Sequence, residues 1–414
     1  MAYQVIARKW RPQIFEEVIG QEAITRTLRN AIEHDRLHHA YVFSGARGVG
    51  KTTTARLLAK ALNCHKTESP NPKPCDTSKE GACPSCVEIS EGRSLDVLEF
   101  DAASHTKVEE IRDIILEGIN INPARDRFKV FIIDEVHMLS KSSFNALLKT
   151  LEEPPERVVF MMATTEHHKV PVTILSRCQE FEFHTIPLKE IFGRLRMIAD
   201  AEKIEVEDHI LLEIARSGEG SMRDAQSNFD QVISFSEGAI TSENVGIALG
   251  IAGAEVVIRA LEAIGAKDHK HLFEIVAGLA DSGHDLGHFS NNLMICIRDL
   301  LVYKLAGEKS VLIESSSLDE ANLEQIASRF SETDLIRCFN SLAETSVRMR
   351  SANEPRYLLE IGLLKLVEMR SLANIEDLIK RFESGIPTHG ESQVQEQSDD
   401  TASMAAAADS KKKL

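Results

Sequence analysis

Eight consecutive residues constrain this chain more than any others: Gly45, Ala46, Arg47, Gly48, Val49, Gly50, Lys51 and Thr52. They fit the phosphate-binding pattern G-x-x-x-x-G-K-[ST]. An apolar run, Tyr41-Val42-Phe43, precedes them, and a helix-like run from Thr53 to Asn63 follows. That order of strand, loop and helix is what phosphate binding needs. Glycines let successive N–H groups turn toward a phosphate, and the start of a helix adds partial positive charge. Lys51 is expected to reach the β- and γ-phosphates, and Thr52 to hold Mg²⁺.

A phosphate loop belongs in a parallel sheet, and the first 185 residues read that way. Strands are expected at Tyr41–Ser44, Leu95–Phe100, Lys129–Ile133, Val158–Ala163 and Glu180–Phe183. Several are nearly continuous in apolar residues, as strands covered on both faces are. Helical periodicity lies between them, as in Val108, Ile111, Ile115 and Ile119. The expectation is an α/β fold with ligand chemistry at the carboxyl ends of the strands. Near Thr185-Ile186-Pro187-Leu188 the character changes to short helices, broken at Ser217–Gly220 and at Glu237-Gly238. From Ala254 to Phe382 helix follows helix, and residues 385–414 are polar, end in Lys411–Lys413 and read as a disordered tail. The division expected is an ATPase core at 1–183, a helical lid at 184–248, a helical collar at 249–383 and the tail at 384–414.

Val130 to His137 form a buried strand ending in two acids, Asp134 and Glu135. Asp134 would hold Mg²⁺, which prefers oxygen ligands, and Glu135 would orient and deprotonate an attacking water. A second buried strand, from Val159, ends in Thr164 and Thr165. Beside the Asp134 strand it would deliver Thr165 near the γ-phosphate. Neither Arg177 nor Arg223 can be assigned from spacing alone.

Of seven cysteines, Cys64, Cys75, Cys83 and Cys86 fall within 23 residues. In a chain with no apolar leader in its first residues, such a cluster reads as a metal site rather than a disulfide framework. Cys178, Cys296 and Cys338 are isolated and expected to be small buried residues. The net charge is −16, yet residues 1–60 hold ten Lys/Arg against five Asp/Glu, so a local basic surface is compatible with the acidic whole. No run of 18 apolar residues exists, so no membrane span and a cytoplasmic location are expected.

Six segments together carry a resemblance: GARGVGKT, FIIDEVHML, ATTEHHKVPVTILSRC, GSMRDAQS and, ahead of them, Tyr3–Pro12 and Phe15–Gln21. The chain resembles the gamma/tau subunits of the bacterial DNA polymerase III clamp loader, AAA+ ATPases, specifically over 1–230 and generally to about 370. The resemblance implies an adenine site bordered by Tyr3, Arg8, Arg11, Pro12, Val18 and Ile19. It implies Thr165 as a first sensor of the γ-phosphate. Arg177 would be an arginine finger reaching a neighbouring subunit's ATP, and Arg223 a second sensor on the lid. Lys51, Asp134, Glu135, Thr165 and Arg177 then form the catalytic set, with Gly45 to Thr53 holding nucleotide. The four cysteines resemble the family's structural Zn²⁺ site, although seven residues separate Cys75 from Cys83, which implies a local insertion; His65 could replace Cys64.

The resemblance also implies an activity. ATP, Mg²⁺ and Zn²⁺ would be the cofactors of an ATPase within a DNA polymerase III holoenzyme. Its partners would be delta- and delta-prime-type subunits in a pentameric hetero-oligomer, a sliding clamp and primer–template DNA gripped by its phosphates. Lys141 and the helix start at Ser140–Ser143 are candidate DNA contacts. The chain resembles the short, gamma-like form. Rival readings are a branch-migration ATPase, a non-hydrolysing loader scaffold and a small-molecule kinase. The cysteine insertion and long helical region speak against the first. The intact Lys51, Thr52, Asp134 and Glu135 speak against the second. The adjacent Asp134-Glu135 pair suits water activation rather than the third.

Overall fold

The computed structural model describes residues 4–103, 118–119, 121–236, 238–306 and 320–369. Tyr3, the periodic positions Val108, Ile111 and Ile115, and the predicted tail lie outside the described residues.

Five parallel strands form one sheet: β1 (Ala40–Gly45), β2 (Val97–Asp101), β3 (Lys129–Asp134), β4 (Val158–Thr164) and β5 (Gln179–Phe183), in the spatial order β2-β3-β4-β1-β5. Parallel pairing needs crossovers that place helices on both faces, so central strands must be apolar throughout. β4 meets that demand, with every residue from Val158 to Thr164 buried. The side chains alternate between two layers. Tyr41, Phe43, Val130, Ile132 and Met161 pack with α2 (Glu22–Glu33) and α3 (Lys51–Asn63). Val42, Phe131, Ile133, Phe160 and Met162 pack with α5 (Lys141–Glu152) and α6 (Val172–Leu175). Phe131 and Phe160 stack across β3 and β4 at 5.3 Å. Between α3 and β2 runs the cysteine-bearing segment, which includes α4 (Pro84–Glu91).

The predicted strands match these within one or two residues at each end. The difference at β2 has a simple cause: Leu95 is 77% exposed, because the chain reaches the sheet only at Val97. Cys296 and Cys338 are buried as expected, whereas Cys178 is only partly so.

After β5 come α7 (Leu188–Glu202), α8 (Asp208–Ser217), α9 (Met222–Phe235) and α10 (Ser242–Leu249). Leu195, Ile198, Ile214 and Phe229 form their common core, and Ile6 of α1 (Ile6–Lys9) is buried in it. The N-terminal segment is therefore packed on this helical unit, although it is distant in sequence. Helices α11 (Ala254–Ala266), α12 (His269–Asp281), α13 (Leu286–Ala306), α14 (Glu320–Ala327), α15 (Glu332–Met349) and α16 (Pro355–Glu368) share a separate apolar core that includes Phe289, Leu293, Leu342 and Leu359. Among the described residues, no helix is long and apolar enough to cross a membrane.

Candidate functional site: a phosphate loop under a helical lid

The carboxyl ends of β1 and β3 adjoin α3 and α9 around a cleft of about 860 Å³. β1 ends at Gly45, the loop carries positive φ at Gly45 (139°), Gly48 (76°) and Gly50 (107°), and α3 begins at Lys51. Those angles suit glycine, which has no Cβ to clash. They also bring neighbours close. A Cβ on Gly45 would lie 2.3 Å from the Phe183 carbonyl oxygen, and one on Gly48 1.9 Å from Ser221 Oγ.

Lys51 is 6% exposed, and its Nζ donates to the carbonyls of Gly45 and Ala46 at 2.8 and 2.7 Å. Burial pulls its pKa down, while Glu135 and Asp134 oppose that pull. Thr52 Oγ1 donates to Asp134 Oδ2 at 2.9 Å. Burial raises the Asp134 carboxyl above its ordinary range. A hydroxyl and a carboxylate oxygen side by side at the loop are the donor set that Mg²⁺ favours, and a buried carboxylate gains most from a cation. These residues fit the ion.

Glu135 follows in the left-handed region (φ 48°). Its Oε2 accepts from Thr165 Oγ1 at 3.0 Å and from the Thr165 N–H at 3.3 Å. His137, whose side chain is nearly buried, has Nδ1 3.0 Å from Thr164 Oγ1 and 3.4 Å from the same Glu135 oxygen. The strand end expected to deliver Thr165 therefore brings it to Glu135.

The lid closes the cleft from above. Ser221 caps α9 by accepting from the Asp224 N–H, and the Arg223 N–H donates to the Gly48 carbonyl at 3.4 Å. Arg223 lines the cleft with Arg8, Arg11, Pro12, Val18, Ile19, and the loop residues Arg47 to Thr53. Burial, followed by the field of Arg56, pushes the Arg11 pKa down to about 10; Arg223 acts in the same direction. Glu99, which accepts from Arg56 at 2.6 and 2.7 Å, opposes the shift and neutralises part of this cationic cluster. Arg56 is not legible in the sequence as a cleft residue, because a single Arg on a helix carries no motif; its place there follows from the turn it occupies on α3.

Arg177 stands elsewhere. It follows α6, is one-third exposed, and its Nη2 pairs with Glu152 Oε1 at 2.6 Å while Nη1 donates to the Thr173 carbonyl at 2.8 Å. It is not among the residues lining the cleft. Lys141 and Ser142 are exposed at the start of α5, which Ser140 caps by accepting from the Ser143 N–H.

The sulfurs of Cys64, Cys75, Cys83 and Cys86 all lie within 4.8 Å of one another. Cys64 and Cys75 are 3.7 Å apart, too far for a disulfide and close to the edge, about 3.8 Å, of a tetrahedron built on Zn–S bonds of about 2.3 Å. Burial pushes the Cys86 thiol up, and a cation among the sulfurs would act against that by favouring the thiolate. The donor set fits Zn²⁺. His65 is turned away from it, with Nε2 2.8 Å from the buried Asp126.

A phosphate loop between the first strand and a helix of a parallel sheet, covered by a helical lid, defines a P-loop nucleotide-binding domain of the AAA+ class. Three family models match in succession: DNA polymerase III, delta subunit, over residues 20–187; DNA polymerase III clamp loader subunit, ATPase lid domain, over 190–238; and DNA polymerase III subunits gamma and tau domain III, over 240–382. The chain is 38% identical to DNA polymerase III subunit tau of Bacillus subtilis, covering 92% of this chain and 67% of the relative. It is 40% identical to subunit tau of Escherichia coli over 88% of this chain and 55% of the relative. Against subunit gamma of Buchnera aphidicola it is 37% identical over 89% of this chain and 99% of the relative. The chain belongs to the DNA polymerase III gamma/tau family. It spans about half to two thirds of the tau relatives and nearly all of the Buchnera gamma subunit. Among solved structures, the Thermotoga maritima RuvB Holliday junction branch migration motor aligns with a TM-score of 0.43 at 20% identity, covering 67% of this chain and 86% of that one.

Proposed function

We propose that this chain binds and hydrolyses ATP as a motor subunit of a DNA polymerase III clamp loader. The observation that carries the reading is the Thr52–Asp134 contact beside a glycine loop, under an arginine-lined lid. The N–H groups of the loop and Lys51 would take the β- and γ-phosphates, displacing the two carbonyls that Lys51 now holds. Thr52 and Asp134 would hold Mg²⁺, which neutralises charge building on the phosphates. Glu135 would orient the attacking water and accept its proton, with Thr165 sensing the γ-phosphate beside it. Arg11 and Arg223 would meet the nucleotide from above, and Arg177 would act on the ATP of an adjacent subunit. The polymerase chemistry of the holoenzyme would belong to other subunits.

The same reading divides the chain at 183 and 248 into motor, lid and collar; it is supported by the separate apolar cores of lid and collar beside the two that flank the sheet, although Ile6 of the N-terminal segment joins the lid's core. It takes delta- and delta-prime-type subunits as ring partners in a pentamer. ATP-bound chains would open a sliding clamp and grip primer–template DNA through its phosphates, with Lys141 and Ser142 as contacts. The four cysteines would hold a structural Zn²⁺. The test is the ATPase rate of the chain assembled with loader partners, before and after adding clamp and primer–template. Stimulation by both together is expected; an unchanged rate would sink the reading.

A further inference from the structure

The N-terminal segment runs from the lid to the cysteine module, across the mouth of the cleft. Its start is fastened to the lid. The Ile6 N–H donates to Asp230 Oδ1 at 3.2 Å, and Trp10 Nε1 to Glu202 Oε1 at 2.9 Å. Its end is fastened at Gln13, through contacts that neither the phosphate chemistry nor metal ligation uses. The main-chain oxygen and Oε1 of Gln13 accept from Lys60 Nζ at 2.9 and 3.2 Å, and Lys60 is 1% exposed. The same Oε1 accepts from Ser90 Oγ at 3.1 Å and from Thr77 Oγ1. Gln13 Nε2 in turn donates to the carbonyl of Arg11 at 3.0 Å. Arg11 and Pro12, which line the cleft, are thus held between two fixed ends.

Thr77 stands two residues after Cys75, and Ser90 lies one turn along α4 from Cys86. With the four sulfurs gathered, both hydroxyls face Gln13. A small module without a large apolar core depends on its metal for that. Its apolar cluster consists of cysteines with Ala82.

We propose that the cysteine module braces the nucleotide cleft, with Gln13 as a positioning residue that couples metal occupancy to nucleotide affinity. The proposal rests on the reading that the cleft binds nucleotide. Thr77 and Ser90 hold Gln13, Gln13 holds Arg11 and Pro12, and the cleft keeps its shape. Because coupling between two binding sites is reciprocal, bound nucleotide must also raise the affinity for the metal by the same factor.

The experiment uses the full chain, a fluorescent ADP analogue read by anisotropy, and metal analysis for zinc. The double variant Thr77→Val, Ser90→Ala cuts the brace and leaves every cysteine in place. It is expected to retain one zinc per chain and to bind the analogue about five- to tenfold more weakly, within the usual range of site–site coupling. Wild type stripped of zinc by a chelator should lose affinity by the same factor, and stripping the double variant should add less than about twofold, since the link is already cut. Gln13→Leu should match the double variant. If circular dichroism shows that stripping unfolds the motor domain, the zinc-loaded double variant decides alone: weaker binding supports the brace, and wild-type affinity overturns it. A zinc-loaded double variant that binds as wild type does, or a folded stripped wild type with undiminished affinity, overturns it as well. Wild type that binds the analogue no better than Lys51→Ala removes the nucleotide reading itself, and the brace with it.

Discussion

Glu135 occupies a backbone conformation that costs a non-glycine residue energy, at φ 48°, immediately after the strand that presents Asp134. The strain turns its carboxylate toward Thr165 rather than outward. Glu135→Gln keeps a hydrogen-bonding side chain there but cannot take a proton from water. Hydrolysis in the assembled loader should fall by about 10²- to 10⁴-fold, the usual share of a general base, with nucleotide affinity preserved. Rate and affinity measured on the same preparation check this, and a fall in affinity alone would give Glu135 a binding role instead. Gly48 tests the neighbouring contact. Gly48→Ala places a Cβ 1.9 Å from Ser221 Oγ at a φ of +76°. A left-handed Ala costs about 1–2 kcal/mol before the clash is relieved. Relief means turning Ser221 Oγ off its cap on α9 or moving the lid from the loop, so nucleotide affinity should drop by about tenfold or more; fluorescent-nucleotide titration would show it.

Elements differ in how plainly the sequence announces them. The phosphate loop is contiguous, and each of its residues has a local reason to be there: glycines for the positive-φ turns, Lys51 and Thr52 at the head of α3. β3 and β4 announce themselves as apolar runs because both faces are covered. Asp134 and Glu135 are legible as acids ending such a run. The fastening of the N-terminal segment is not. Gln13, Lys60, Thr77 and Ser90 come from four separate segments and are single polar residues with no period, so only the fold shows that they meet. His137 escapes for the same reason, since its partners, Thr164 and Glu166, belong to another strand's end.

The joint between lid and collar is another such element-level contact, and it holds a histidine. His288, near the start of α13, is largely buried, and burial lowers its pKa below 6.5 although Asp285 and Glu219 oppose the shift. Asn292 Nδ2 donates to its Nδ1 at 3.3 Å, which suits the neutral ring. Glu219 reaches this place from the lid and accepts from Asn291 at 3.2 Å. The sign comes from linkage. A depressed histidine pKa contributes stability that is complete above its unfolded value and is lost as pH falls through the folded value. Wild type should therefore lose more thermal stability between about pH 7.5 and 5.5 than His288→Gln does. Parallel melting curves for the two would mean that the ring does not titrate on unfolding.

At the scale of the whole molecule the decisive residue is Arg177, because it stands outside the cleft it would serve. Its guanidinium is parked on Glu152 and on the Thr173 carbonyl, and a third of it remains accessible. An exposed ion pair of this kind contributes little, about 0–1 kcal/mol, so it is readily exchanged for a stronger partner. A triphosphate presented by an adjacent subunit is such a partner, since bidentate contact with phosphate is what a guanidinium geometry favours. The isolated chain would then contain Lys51, Thr52, Asp134, Glu135 and Arg223 in one cleft, and lack the cation that completes it. Arg177→Ala should leave nucleotide affinity of the isolated chain unchanged while cutting the loader's stimulated ATPase rate by about 10³-fold or more, the range known for arginine fingers. Mixing makes the test sharper. Loader assembled from Arg177→Ala chains and Glu135→Gln chains should regain activity only at those interfaces where an intact Arg177 faces an intact Glu135. A mixture that regains no activity over either variant alone would place Arg177 and Glu135 in one subunit's site, against the geometry that separates them here.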